Sequence, residues 1–137
     1  MKPVVDASVA LDWVLRSERS VHADVVLAAV VRTGFLVPAL WPAEVANGLL
    51  SARRRGVLAS RELPTVLALF EELPVTVAAS GPLVLRVLVD LGTEAGLTAY
   101  DCAYLDLALR EKAPLATHDE ALRRSAKKLG VELFVGV

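Results

Sequence analysis

The chain has 137 residues, a formal net charge of −1, 55% hydrophobic residues and one cysteine. That length suits a single domain, residues 1–137, which buries about two-thirds of its unfolded surface and needs no disulfide or structural metal to hold a core. The balanced charge excludes the strongly basic signature of a general nucleic-acid binder while leaving room for a local basic patch.

The high apolar fraction predicts that some of this surface ends in an interface between copies, so a homodimer is expected. Cys102 has no partner for an internal disulfide, which suits a reducing cytoplasm. MKPVVDAS moves almost directly into a strand-like run, with no leader pattern. The apolar runs VVLAAVV and LVLRVLVDL fall far short of the roughly 20 residues that cross a bilayer. A soluble, cytoplasmic protein with no membrane partner is expected.

In chain order, Pro3 to Asp6 reads as a strand and Ser8 to Leu15 as a helix. A second helix runs from about Arg19 to Arg32, with apolar spacing at Val21, Val25, Ala28 and Ala29. Gly34 stops it, and FLVP, Phe35 to Pro38, is the second strand. WPAEVANGLLSARRRG is a helix with Pro42 in its first turn and Gly56 closing its end. Ser60 to Leu73 is another helix, held off by Pro74 from the strand VTVA, Val75 to Ala78. Pro82 to Ala95 and Thr98 to Glu111 are helices separated by Gly96. Pro114 to Thr117 is a strand, Asp119 to Leu129 a helix, and Glu132 to Val135 a last strand.

This alternation implies an α/β fold, a mostly parallel central sheet of about five strands flanked by helices on both faces. Sites in such sheets form beyond the carboxyl ends of the strands, where the winding reverses. Four acids fall at such places: Asp6 after the first strand, Glu44 and Asp101 in first turns of helices, and Asp119 after Thr117.

Each acid has a local explanation. Asp6 or Ser8 suits a helix cap, Thr98 and Asp101 suit a capping box, and Asp119 or Thr117 suits another cap. Glu44 near a helix N-terminus complements the macrodipole, worth about 0.3–1 kcal/mol. The joint pattern points further. Like charges about 5 Å apart repel by roughly 3 kcal/mol at an effective dielectric near 20. A hard divalent cation such as Mg²⁺ or Mn²⁺ relieves that repulsion with oxygen ligands. Ser8 stands close enough to bond Asp6, Asn47 lies one helical turn past Glu44, and Thr117 stands close enough to steady Asp119.

The ordered set D-x-S (Asp6, Ser8), P-x-E-x-x-N (Pro42, Glu44, Asn47), L-T-x-Y-D-x-x-Y-L-x-L-A (Leu97 to Ala108) and L-A-T-x-D-x-x-L (Leu115 to Leu122) resembles PIN-domain nucleases. Within that family it looks most like the VapC toxins of bacterial toxin–antitoxin pairs. The resemblance spans essentially the whole chain. It implies a PIN-like fold and an acidic quartet of Asp6, Glu44, Asp101 and Asp119 that binds Mg²⁺ or Mn²⁺ and hydrolyses RNA phosphodiester bonds. It also implies a cognate antitoxin protein as a partner that blocks the groove. Two residues depart from the family pattern, Asp106 and His118. Asp106 sits about 140° round the helix from Asp101 and reads as part of a solvated face. His118 reads as a local turn residue, with phosphate contact or a base role as the alternatives.

Arg53, Arg54 and Arg55, with Arg61 close behind, offer possible RNA contact, although a cationic helix end also complements the dipole. Arg16, Arg19, Arg123, Arg124, Lys127 and Lys128 are further candidates for backbone contact. Trp13, Trp41 and Tyr100 offer faces for base stacking, with core packing expected for the tryptophans. Two other classes compete: another metal-dependent phosphoester hydrolase, and a non-catalytic PIN-like partner-binding module. A phospho-aspartate phosphatase wants an acid two residues past Asp6, where this chain has Ser8.

Overall fold

The computed structural model describes residues 1–15, 20–82 and 84–135. Its elements are β1 (Val4–Val5), α1 (Ala7–Asp12), α2 (Ser20–Thr33), β2 (Phe35–Pro38), α3 (Trp41–Arg54), a 3₁₀ turn (Ser60–Glu62), α4 (Leu63–Glu71), β3 (Val75–Ala78), α5 (Val84–Ala95), α6 (Ala99–Glu111), β4 (Leu115–Ala116) and α7 (Glu120–Lys128). The four strands pair in parallel in the order β3-β2-β1-β4.

β2 and β3 match the sequence expectation residue for residue. Gly34 ends α2 with a left-handed φ of +79°, a conformation that glycine adopts without a Cβ penalty, and Gly56 does the same beyond α3 at +75°. Several expected elements are trimmed. The first strand shrinks to Val4–Val5 because Asp6 already serves as the N-cap residue of α1. The single helix expected over Ser60 to Leu73 is split, because Pro64 confines regular helix to Leu63–Glu71 behind the 3₁₀ turn. The expected fifth strand is a single parallel bridge, Leu115 to Leu133, with Leu115 N–H donating to the Glu132 carbonyl (2.9 Å) and Phe134 N–H to the Leu115 carbonyl (2.8 Å).

The core is the sheet and the helix faces laid on it. Val4, Val5, Phe35, Val37 and Leu115 are fully buried, as are Leu105 and Leu107 of α6 and Val26 and Val30 of α2. Trp13 and Trp41 join this core rather than offering faces to a ligand. Trp13 lies edge-on to Phe35 at 5.7 Å between ring centroids and donates its indole N–H to the Ala23 carbonyl (2.8 Å). Trp41 packs on Phe35 at 6.0 Å and on Phe70 at 6.2 Å. Among the described residues, no helix is long and apolar enough to cross a membrane.

The strand order determines where chemistry can sit. From β1 the chain winds outward through β2 to β3, then returns to place β4 on the opposite side of β1. The winding therefore reverses between β1 and β4, the position just past the carboxyl ends of the strands where sites form in such sheets. Val5 pairs with Ala116, and Asp6 N–H donates to the Ala116 carbonyl (2.9 Å). Asp6 and Thr117 consequently leave the sheet side by side.

Candidate functional site

Asp6, the first residue past β1, is only 6% exposed. Its Oδ2 accepts from the hydroxyls of Thr117 (2.6 Å) and Ser8 (2.9 Å). Those hydroxyls are held in turn. Asp119 N–H donates to Thr117 Oγ1 (3.1 Å), and His118 N–H donates to Ser8 Oγ (3.3 Å). Ser8 and Thr117 thus tie the β1–α1 turn to the β4–α7 turn through a single carboxylate oxygen.

The other three acids are more exposed than Asp6. Glu44 and Asp101 are half-buried and Asp119 is exposed. Glu44 lies in the first turn of α3, and Asp101 in the first turn of α6, where Asp101 N–H donates to Thr98 Oγ1 (3.2 Å). Asp119 caps α7, its Oδ1 accepting from Leu122 N–H (2.8 Å). The local explanation for Asp119 is therefore correct as far as it goes, and it occupies only one of the two carboxylate oxygens.

The electrostatics show that the four acids converge. Burial raises the Asp6 carboxyl above its ordinary value, and the charge of Asp119 raises it further. Glu44 is raised first by burial and then by the charges of Asp6 and Asp101. Asp101 is raised first by burial and then by the charges of Asp119 and Asp6. Among the described residues, no lysine or arginine forms an ion pair with any of the four. Asp6, Glu44 and Asp101 are each less stable as carboxylates than they would be in water.

Among the described residues, no three or more His, Cys, Asp or Glu groups stand in ready metal-ligating positions. The donor set nonetheless fits a hard divalent cation. It consists of carboxylate oxygens backed by hydroxyls, with no thiolate or imidazole among them, and its members repel one another without a cation between them. The thiol of Cys102 is not an accessible nucleophile for this site. Cys102 is fully buried, and its thiol is pushed up first by burial and then by the Asp101 charge.

Tyr104 is the residue that sequence reasoning missed. It lies one turn past Asp101 on α6, is fully buried, and donates its hydroxyl to Glu44 Oε1 at 2.5 Å. The same hydroxyl accepts from Ala7 N–H (3.4 Å). Burial and then the Glu44 carboxylate push the phenol far above its ordinary value, so it remains a proton donor at any physiological pH. The only signal in the sequence was its place in the motif L-T-x-Y-D-x-x-Y. A tyrosine within an apolar helical pattern otherwise reads as core.

Other expectations need correction. Asp106 is buried, not solvated, and pairs with Arg110 one turn along α6 at 3.0 Å. His118 lies in the turn between β4 and α7, but it is buried rather than open to phosphate. Its ring is buried, with Nε2 3.0 Å from Asp12 Oδ2 and the His22 ring 5.2 Å away, so it clamps the β4–α7 turn to the end of α1. Asn47 is exposed and makes no side-chain hydrogen bond among the described residues, so it does not join the network around Asp6.

Arg53, Arg54 and Arg55 are exposed at the far end of α3. At 1.5 Å per residue they stand about 14–17 Å along the helix from Glu44. Arg123 lies closer, its Nη1 donating to the Thr117 carbonyl (3.1 Å). Arg124, Lys127 and Lys128 are exposed along α7, and Tyr100, beside Asp101, is 65% exposed and open for stacking. Arg16 and Arg19 lie outside the described residues.

A family model described as PIN domain matches residues 4–128. Solved structures that match include the crystal structure of PAE2754 from Pyrobaculum aerophilum. It is 31% identical, with a TM-score of 0.60, and the match covers 90% of this chain and 85% of that one. No curated protein matches the chain.

Proposed function

This chain belongs to the PIN-domain family, a fold generally used by nucleases that employ divalent metals, and from that membership we propose that it is an Mg²⁺- or Mn²⁺-dependent endoribonuclease serving as the toxin of a VapC-type toxin–antitoxin pair. The observation that carries the catalytic reading is the convergence of Asp6, Glu44, Asp101 and Asp119 near the β1/β4 switch point, where they feel one another's charge and, among the described residues, none forms an ion pair with a lysine or arginine. The toxin reading draws its support from the ordered motifs, which resemble those of VapC toxins, and a cognate antitoxin would be its second partner.

When bound, the cation polarises a phosphoryl oxygen and lowers the pKa of water, so hydrolysis needs no nucleophilic side chain. Asp6, Asp101 and Asp119 would hold it, with Glu44 as a fourth ligand or an orienter of water. The remaining work belongs to the chain itself. The hydroxyls of Ser8 and Thr117 satisfy one oxygen of Asp6 and fix its plane, which keeps this carboxylate from swinging away. Half-burial of Glu44 and Asp101 keeps the local dielectric low, which strengthens charge interactions at the reacting phosphate. Tyr100 provides an exposed ring for a base beside the scissile bond, and the arginines of α3 and α7 provide sequence-independent backbone contacts.

The test is cleavage of RNA by the purified protein. Mg²⁺ or Mn²⁺ is expected to support cleavage and chelation to stop it; cleavage that persists in excess chelator would remove the metal from the account.

The homodimer reading rests on α5, none of whose described residues is buried. Its Leu85 and Val89 are 73% and 56% exposed, an apolar face that a second copy would cover. Light scattering is expected to give twice the chain mass, and a monomer mass at all concentrations would count against the dimer.

A further inference from the structure

We propose that Tyr104 is a positioning residue, which holds Glu44 in its working conformation by occupying Oε1 and leaves Oε2 as the oxygen Glu44 offers a cation. The proposal rests on the metal-hydrolase reading above and adds a residue to it.

A phenol has one proton to donate, and here it goes to Glu44 Oε1 at 2.5 Å, in the short range of hydrogen bonds to an ionised acceptor. The ring is fully buried, so the hydroxyl cannot turn elsewhere without disturbing the core. Glu44 by contrast is half-buried on a long, flexible arm and has no other side-chain hydrogen bond among the described residues. Rigidity passes from the ring to the carboxylate.

The same hydroxyl also meets Ala7 N–H, in the residue next to Asp6, at 3.4 Å. Tyr104 lies one turn along α6 from Asp101. A single ring therefore sets the spacing between acids borne on three different elements: the start of α1, α3 and α6. A purely structural role would need only some acceptor for a buried hydroxyl, and a backbone carbonyl would do. The acceptor found instead is one of the four acids, in a site where carboxylates already repel one another.

Tyr104→Phe keeps the ring and removes the hydroxyl. Calorimetric titration with Mn²⁺ and steady-state RNA cleavage, both below the melting temperature of the variant, separate the possibilities. The Mn²⁺ dissociation constant is expected to rise 10- to 100-fold, the range typical when a group that orients a metal ligand is lost. kcat is expected to fall at least tenfold, with KM for RNA changed less than twofold. In a Glu44→Ala background the same substitution should change Mn²⁺ affinity no further, because its effect runs through Glu44.

Wild-type Mn²⁺ affinity and kcat in Tyr104→Phe, with only the melting temperature lowered, would overturn the proposal. So would an equal loss of affinity in both backgrounds. If Tyr104→Phe does not fold, Tyr104→Leu tests the same link, since it removes the hydroxyl, keeps an apolar side chain in the core and leaves Glu44 unchanged. The same rise in dissociation constant is expected there, and unchanged affinity would overturn the proposal. Failure of the underlying hydrolase reading looks different: the wild-type protein would then neither bind Mn²⁺ nor cleave RNA, before any variant is made.

Discussion

Asp6→Asn is expected to lower metal-dependent RNA cleavage by at least about a thousandfold, equivalent to about 4 kcal/mol of transition-state stabilisation, while leaving the fold intact. The two halves of this prediction have separate causes. Cleavage falls because Asp6 is buried and feels the charge of Asp119, while Glu44 and Asp101 feel the charge of Asp6. A neutral amide there removes the charge around which the other three are arranged. The fold survives because Asn Oδ1 can still accept from Thr117 and Ser8, so neither hydroxyl is left without an acceptor.

The substitution also removes a carboxylate that burial disfavours, so the metal-free variant should melt no lower than the wild type at neutral pH. Induced expression of the wild type should arrest growth, and Asp6→Asn should not. A variant that unfolds, or one that cleaves RNA at the wild-type rate, would each break a different half of the argument.

The second large effect is a pair of opposed pH dependences. Asp6, Glu44 and Asp101 all have folded pKa values raised above the ordinary 3.8 for Asp and 4.5 for Glu, in each case first by burial. An acid with a raised folded pKa binds its proton more tightly in the native state than in the unfolded chain. Its contribution to metal-free stability therefore grows as pH falls through that raised value, and is lost as pH rises past it. Metal binding has the opposite sign, because the ligands must be deprotonated. Mn²⁺ affinity should fall as pH drops into the window above the ordinary carboxylate range.

Comparison with Asp6→Asn isolates the site from the rest of the protein. In chelator, the wild type should lose stability relative to the variant as pH rises through that window. Melting curves and Mn²⁺ titrations between about pH 4.5 and 8 read both trends. Parallel trends, or a wild type that gains on the variant as pH rises without metal, would show that the acids are not held above their ordinary range.

Where the chain could be read in advance, strong local signals agreed with the tertiary structure. β2 is bounded by Gly34, which must adopt positive φ, and by Pro38. β3 follows Pro74, which bars a continuing helix. The positions of the four acids were legible because strand ends and helix first turns are fixed by the same periodicity that fixes the elements. What failed lay in long-range contacts.

Asp106 carries a charge at a position that packs inward, tolerable because Arg110 one turn along the helix pairs with it, and no local pattern announces that burial. His118 is legible as a turn residue, but its contact with Asp12 at 3.0 Å exists only once α1 has docked. Tyr104 is separated from Glu44 by 60 positions, so its hydrogen bond exists only after the sheet has assembled. The last strand reads well from Glu132 to Val135, yet only Leu133 bridges β4, because β4 itself is just two residues long.

Metal-dependent cleavage by this chain requires that the four carboxylates gathered at the β1/β4 switch point hold a cation. Anomalous scattering from crystals soaked in Mn²⁺ tests it most directly. The predicted result is a manganese peak between Asp6, Asp101 and Asp119, lost in crystals of Asp6→Asn. No peak there at saturating Mn²⁺, or manganese bound only elsewhere on the molecule, would contradict it.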